Sequence, residues 1–140
     1  MKKPVVEVRL SAARGAYAVR VVRAAARDWL VKLRFDEVSL SLVPDSEMRE
    51  LNRRFRGKDK PTDVLSFPLQ EGRRHLGDVV ISLDTARRQA DEGGWPLSVE
   101  LRRLLAHGLL HCAGHDHEAP ADARRMQRAE RRLLGARGMV

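Results

Sequence analysis

The sequence predicts an α+β fold, a small mixed four-stranded sheet packed with about five helices. Three observations carry this. Short segments alternate apolar and polar residues with period two, longer ones carry apolar residues at helical spacing, and Gly or Pro separates most of them. Val6-Glu7-Val8-Arg9-Leu10 alternates and reads as the first strand. Residues 15–33 place Val19, Val22, Ala26, Trp29 and Leu33 along one helical face. Val38 to Val43 alternates again as a second strand, and Pro44-Asp45-Ser46 opens a short helix with Asp45 or Ser46 as its N-cap. Met48, Leu51 and Phe55 form the apolar face of that helix. A polar loop from Arg56 to Thr62 leads into a strand at Asp63–Phe67 that stops at Pro68. Leu76 to Leu83 is a fourth, largely buried strand. Asp84 opens a helix that Gly93-Gly94 stops. Pro96 starts the next helix, with Leu97, Leu101, Leu104 and Leu105 buried, running to about Ala113 before Gly114. Pro120 begins a last, highly charged helix ending near Leu134.

The chain has 140 residues, 43% of them hydrophobic and 33% charged. That composition predicts one globular domain over 1–140 and excludes a disordered chain. A chain of this size buries roughly two-thirds of its unfolded surface, so the core needs no staples. The single cysteine, Cys112, excludes an internal disulfide and fits a reducing cytoplasm. The longest run without Asp, Glu, Lys or Arg is Leu104–His115, twelve residues with three histidines, too short to span a bilayer. The N-terminus alternates valine with charge and lacks the apolar core of a signal peptide, so neither export nor membrane attachment is expected. The net charge is +8. Arginines outnumber lysines 22 to 5, which suits phosphate recognition, although the many alanines make base composition an equal source of that bias.

Four of the five histidines fall within eleven residues: His107, His111, His115 and His117. His107 and His111 stand at i and i+4, so both rings leave one face of a helix. Gly114 ends that helix and lets His117 return as a third ligand. Three imidazoles on one zinc ion leave a fourth position open, which marks a catalytic centre more than a closed structural one. His115, in the turn, could compete for the metal, and its preferred reading is to face substrate or support the ligands from outside. Asp116 either orients a ligand imidazole or closes the turn. Cys112 points about 100° away from His111 and reads as a packed thiol. The spacing H-x-x-x-H-x-x-G-x-x-H is that of a zincin-like metal site of the metzincin type. Gly108 stands where those proteases carry the glutamate that accepts a proton from the attacking water. The site therefore points to a hydrolysis other than peptide cleavage.

The loop Arg56-Gly57-Lys58-Asp59-Lys60-Pro61 holds three cations in five residues. It leads directly into a strand that carries it toward the histidines. A guanidinium there suits charge developing on a phosphoryl group, while a basic loop taken alone is usually a solvated one.

Taken together, the segments Arg56–Pro68, Leu76–Ser82 and His107–His117 resemble the YbeY family of bacterial rRNA maturation factors. The resemblance covers nearly the whole chain. It implies a single-strand-specific, metal-dependent endoribonuclease with one zinc per chain on His107, His111 and His117, and Arg56 as the functionally essential arginine. His115 departs from the family, which often carries Tyr there. The resemblance further implies maturation of the 16S rRNA 3′ end, ribosome quality control, and partners on the small ribosomal subunit, including a ribosomal protein and an Era-type GTPase. Arg53, Arg54, Lys58 and Lys60, with Arg73 and Arg74, are the expected cations along the RNA backbone. The six aromatics, Tyr17, Trp29, Phe35, Phe55, Phe67 and Trp95, mostly sit in core-like patterns, so no stacking platform is expected. Two other classes compete: a zincin-like metallopeptidase, which Gly108 opposes, and a zinc-stabilised ribosome-associated factor without chemistry.

Overall fold

Residue alternation decides which side of the sheet each strand residue faces, and a computed structural model shows the result for residues 3–69 and 74–135. Among these residues the order is β1 (Val5–Leu10), α1 (Ala16–Leu33), β2 (Glu37–Val43), α2 (Asp45–Arg56), β3 (Val64–Pro68), β4 (His75–Ser82), α3 (Leu83–Gly93), α4 (Leu97–Cys112) and α5 (Pro120–Leu134). The sheet order is β1-β2-β4-β3. β1, β2 and β4 run parallel, and β3 lies antiparallel to β4 at the edge. This is the mixed sheet with five helices that the sequence predicts.

Val6, Val38, Leu40, Leu42, Leu76, Val79 and Ile81 face one core. Val43, Leu65 and Val80 face the other side and meet Met48 of α2. The step of three from Leu76 to Val79 is odd, and strict alternation would turn one of them outward. A bulge absorbs it: β2 advances from Glu37 to Ser39 while β4 advances from His75 to Asp78.

Helix α1 approaches the sheet through small residues, burying Ala18, Val22, Ala25 and Ala26 before Trp29 and Leu30. Helix α4 is the most enclosed, with Leu101, Leu104, Leu105, Ala106, Leu109 and Leu110 all buried. Helix α5 buries only Met126, Ala129, Leu133 and Leu134, leaving its arginine-rich face in solvent. Among the described residues no helix is long and apolar enough to cross a membrane.

Several local expectations shift. The N-cap of α2 is Pro44, not Asp45 or Ser46, and α3 is capped by Ser82 with Leu83 as its first residue. One exchange of groups explains both. The backbone N–H of Asp45 donates to Asp84 Oδ2 at 2.8 Å. The Asp45 carboxylate in turn accepts from the hydroxyls of Ser82 (2.6 Å) and Thr85 (2.7 Å) and pairs with Arg88 at 2.8 Å. The starts of the two helices thus satisfy each other's polar groups. Among the aromatics, only Trp29 is buried. Tyr17 is exposed, and so is Phe55, which leaves the face of Met48 and meets Phe67 edge-on at 5.0 Å. Arg73 lies outside the described residues.

Burial alone would raise the pKa of Asp45, but the hydrogen bonds from Ser82, Thr85 and Arg88 outweigh it and hold the carboxyl below its usual 3.8. A depressed carboxylate stabilises the fold above the unfolded-state pKa and loses that contribution as pH falls through the folded-state value. Asp45→Asn is therefore expected to unfold at lower urea than wild type at pH 7. The gap should close below pH 3.8, and a gap independent of pH would contradict this account.

Candidate active site

The site begins with how closely α4 lies on the sheet. Gly108 sits on the buried face of α4, and a Cβ there would meet Val79 Cγ1 of β4 at 2.6 Å and Val64 Cγ2 of β3 at 3.4 Å. Only a residue without a side chain allows this approach. The same position carries the catalytic glutamate in the metzincin pattern, so the departure at Gly108 has a steric cause. One residue before and three after it, His107 and His111 leave α4 toward the end of β3.

After α4 the chain turns at Gly114, whose φ of 105° favours glycine. The N–H of His115 donates back to the Leu110 carbonyl at 3.0 Å. Asp116 Oδ1 then accepts from the N–H groups of His117 (2.7 Å) and Glu118 (3.3 Å). Asp116 therefore closes the turn that presents His117 and makes no bond to an imidazole. Turning back in this way, the His117 ring comes to 5.4 Å from the His107 ring, centroid to centroid.

His107, His111 and His117 line one cavity of about 270 Å³, together with Arg56, Ser66 and Asp116. His115 does not line it. The Nδ1 of His111 lies 2.8 Å from Ser66 Oγ on β3. The Nδ1 of His107 lies 3.6 Å from a Glu130 carboxylate oxygen on α5. The first is a hydrogen bond and the second a longer electrostatic contact, and among the described residues neither Nε2 has a hydrogen-bond partner. Sequence reasoning missed both roles. Ser66 was readable from alternation, since it shares the α4 face of β3 with Val64. Glu130 belongs to a charged helix whose docking no local pattern reveals.

Arg56, the last residue of α2, reaches three cavities. Beyond the histidine cavity lies a groove of about 700 Å³ that runs past His107 and His117 to Trp95 and Arg103. A third cavity, of about 370 Å³, takes in Lys58 and Lys60. Among the described residues no carboxylate pairs with Arg56, Lys58 or Lys60. Arg53 and Arg54 differ: both pair with Glu50, at 2.6 and 3.8 Å, and neither lines a cavity beside Arg56.

Among the described residues no three His, Cys, Asp or Glu side chains converge closely enough to form a ready-made metal centre. The donor chemistry nonetheless suits zinc. Three imidazoles share a cavity, and two have a neighbouring oxygen at Nδ1. Cys112 contributes nothing to that set. Burial, reinforced by the Asp78 charge and opposed by a hydrogen bond from the Phe67 backbone, pushes its thiol up to about 12, so it stays a neutral packed group.

The contact at Gly108 is testable by itself. Ala for Gly in a helix gains about 1 kcal/mol of propensity, whereas overpacking a core costs about 1–3 kcal/mol. Gly108→Ala should therefore be destabilised by roughly 1 kcal/mol in urea titration. Gly108→Glu, which adds a buried charge, should be far less stable. Wild-type stability in Gly108→Glu would show that α4 can lift from the sheet.

Comparison with known proteins gives the family and the fold. The family described as Endoribonuclease YbeY matches residues 7–138. A Myxococcus xanthus protein named Endoribonuclease YbeY is 53% identical over 96% of this chain. An Anaeromyxobacter protein of the same name is 54% identical over 95% of it. The chain spans 49% of the length of the first relative and 73% of the second. The solution structure of a Thermotoga maritima protein superposes with a TM-score of 0.62 at 27% identity, covering 93% of this chain and 89% of that one. On sequence match and fold together, this chain belongs to the Endoribonuclease YbeY family.

Proposed function

We propose that this chain is a single-strand-specific, metal-dependent endoribonuclease, a hydrolase of RNA phosphodiester bonds. The observation that carries the reading is the shared cavity. Arg56, a guanidinium with no carboxylate partner among the described residues, lines the same space as three imidazoles. A phosphodiester carries one negative charge and gains more as a nucleophile adds to phosphorus, so a fixed cation beside the reacting phosphate favours the transition state over the ground state.

His107, His111 and His117 would hold one zinc ion, which supplies Lewis acidity toward phosphoryl oxygens when bound. With Nε2 on the cation, His111 would donate its Nδ1–H to Ser66 Oγ, which would hold the ring in place. Glu130 favours the same tautomer of His107. Lys58 and Lys60 extend the positive wall along the RNA backbone. Arg53 and Arg54, tied to Glu50, act at longer range on the approach of a polyanion. Peptide hydrolysis is the weaker reading because no carboxylate can occupy the position of Gly108.

The proposed setting is the cytoplasm and the small ribosomal subunit. There the enzyme would mature the 16S rRNA 3′ end and act in ribosome quality control, beside a small-subunit ribosomal protein and an Era-type GTPase. The names of the relatives support RNA cleavage, and the net charge of +8 supports a polyanionic partner.

Zinc-loaded protein is expected to cut a labelled single-stranded RNA, with His111→Ala and Arg56→Ala folded but at least 100-fold slower, about 2.7 kcal/mol in the barrier. Equal cutting by all three would expose a contaminating nuclease. Folded, zinc-loaded wild type that cuts nothing would favour a ribosome-associated factor without chemistry. Separately, Ser66→Ala should weaken zinc binding about tenfold in competition with a chromogenic chelator. The melting temperature of the metal-free protein should barely change. Undiminished affinity would mean that Ser66 does not hold the ring.

A further inference from the structure

We propose that Phe55 is a stacking platform for a nucleobase that flanks the scissile phosphate. The inference rests on the ribonuclease reading and names where the RNA strand goes as it leaves the histidine cavity. The few aromatics of the sequence suggest no such platform, but the structure leaves Phe55 57% exposed at the end of α2.

A single exposed apolar side chain is ordinary on a protein surface. The position of this one is not. Phe55 precedes Arg56, which lines the histidine cavity. The Phe55 ring meets Phe67 at 5.0 Å, centroid to centroid. Phe67 follows Ser66, which lines the same cavity and lies 2.8 Å from His111 Nδ1. Adjacent Cα atoms are about 3.8 Å apart. The aromatic pair is thus one residue from the cavity along both α2 and β3, without lining it. Ser66 and Phe67 face opposite sides of β3, and among the described residues β3 is the edge of the sheet. Leu65, which belongs with Phe67 and Met48 to the α2 side, also lines the cavity. The cavity therefore reaches around the margin of β3 toward the side where Phe55 stands.

The ring is supported before any ligand arrives. Phe67 packs against the cluster of Val43, Met48, Leu65 and Val80, so Phe55 leans on a ring anchored in the core. A platform fixed in advance loses little freedom on binding. The surrounding charge selects the ligand. Arg56 and Lys58 stand one and three residues further along the chain, and among the described residues no carboxylate pairs with either. An apolar protein segment would gain nothing from those cations. A single-stranded nucleic acid offers both chemistries in each nucleotide, a phosphate for the guanidinium and a flat π-face for the ring. Bases inside a duplex are already stacked on each other, so such a platform serves an unpaired strand.

The test separates base from phosphate. A short 2′-O-methyl uridine strand and an abasic strand with the same number of phosphates both lack a free 2′-hydroxyl. Their binding to the zinc-loaded full chain is read by fluorescence anisotropy at fixed salt. Wild type is expected to hold the uridine strand about tenfold tighter, the scale of one base stack. Phe55→Ala should lose that advantage and leave the abasic strand unchanged, while Phe55→Trp should keep it. The melting temperature of Phe55→Ala should barely change, because the ring is mostly exposed. Equal affinities for the two strands in wild type would overturn the platform. Weakening of both strands alike by Phe55→Ala would overturn it too, by making the ring a support for Arg56. A preference that survives Phe55→Ala would place stacking elsewhere and leave the ring to a protein partner. Binding of neither strand by wild type would count against the ribonuclease reading as well, whereas RNA cleavage with no advantage for the uridine strand would overturn the platform alone.

Discussion

The approach of α4 to the sheet at Gly108 is the constraint on which the site depends. With no side chain between them, the helix backbone lies against Val79 and Val64, and the His111 imidazole reaches the edge strand. Ser66 meets His111 because β3 is that close. A helix held off by one methyl group would move both histidines together and break that contact. The packing core and the chemical site share one interface here, so substitutions that seem to belong to one act on both.

Charge is distributed with a similar division of labour. The start of α2 is held by the exchange among Asp45, Ser82, Asp84, Thr85 and Arg88. Its far end carries Arg56 to the cavities. The helix is thus a lever fixed at one end, with a cation that no carboxylate among the described residues engages at the other. Arg53 and Arg54, one turn or less earlier, are occupied by Glu50. The high net charge therefore overstates the number of cations free to meet a ligand at close range.

Much of this was legible in the sequence, for reasons that differ by feature. Strand and helix positions followed from periodicity, and every expected element has its counterpart among the described residues. The caps of α2 and α3 did not follow, because Asp45 and Asp84 cap across space and not along the chain, whereas the starts at Pro96 and Pro120 did. The apolar face assigned to α2 failed at Phe55, since that face has run past the sheet by the last turn and the ring rests edge-on against Phe67. His107, His111, His117 and Arg56 were readable from spacing and from family resemblance, and they do line one cavity. Glu130 was not readable, because it reaches His107 through docking of a helix whose own pattern is generic. Asp116 had two readings in the sequence, and only the turn geometry separates them.

Strand β3 has a further consequence. Among the described residues it is the edge of the sheet and borders the histidine cavity, so one row of its backbone groups has no described strand beside it. Such an edge is an invitation for a second chain to add itself, a hazard in a crowded cell. Here the invitation is kept short: β3 is five residues long and ends at Pro68, which has no N–H to offer. The protein can therefore leave this margin open for an extended ligand without recruiting copies of itself into a growing ribbon.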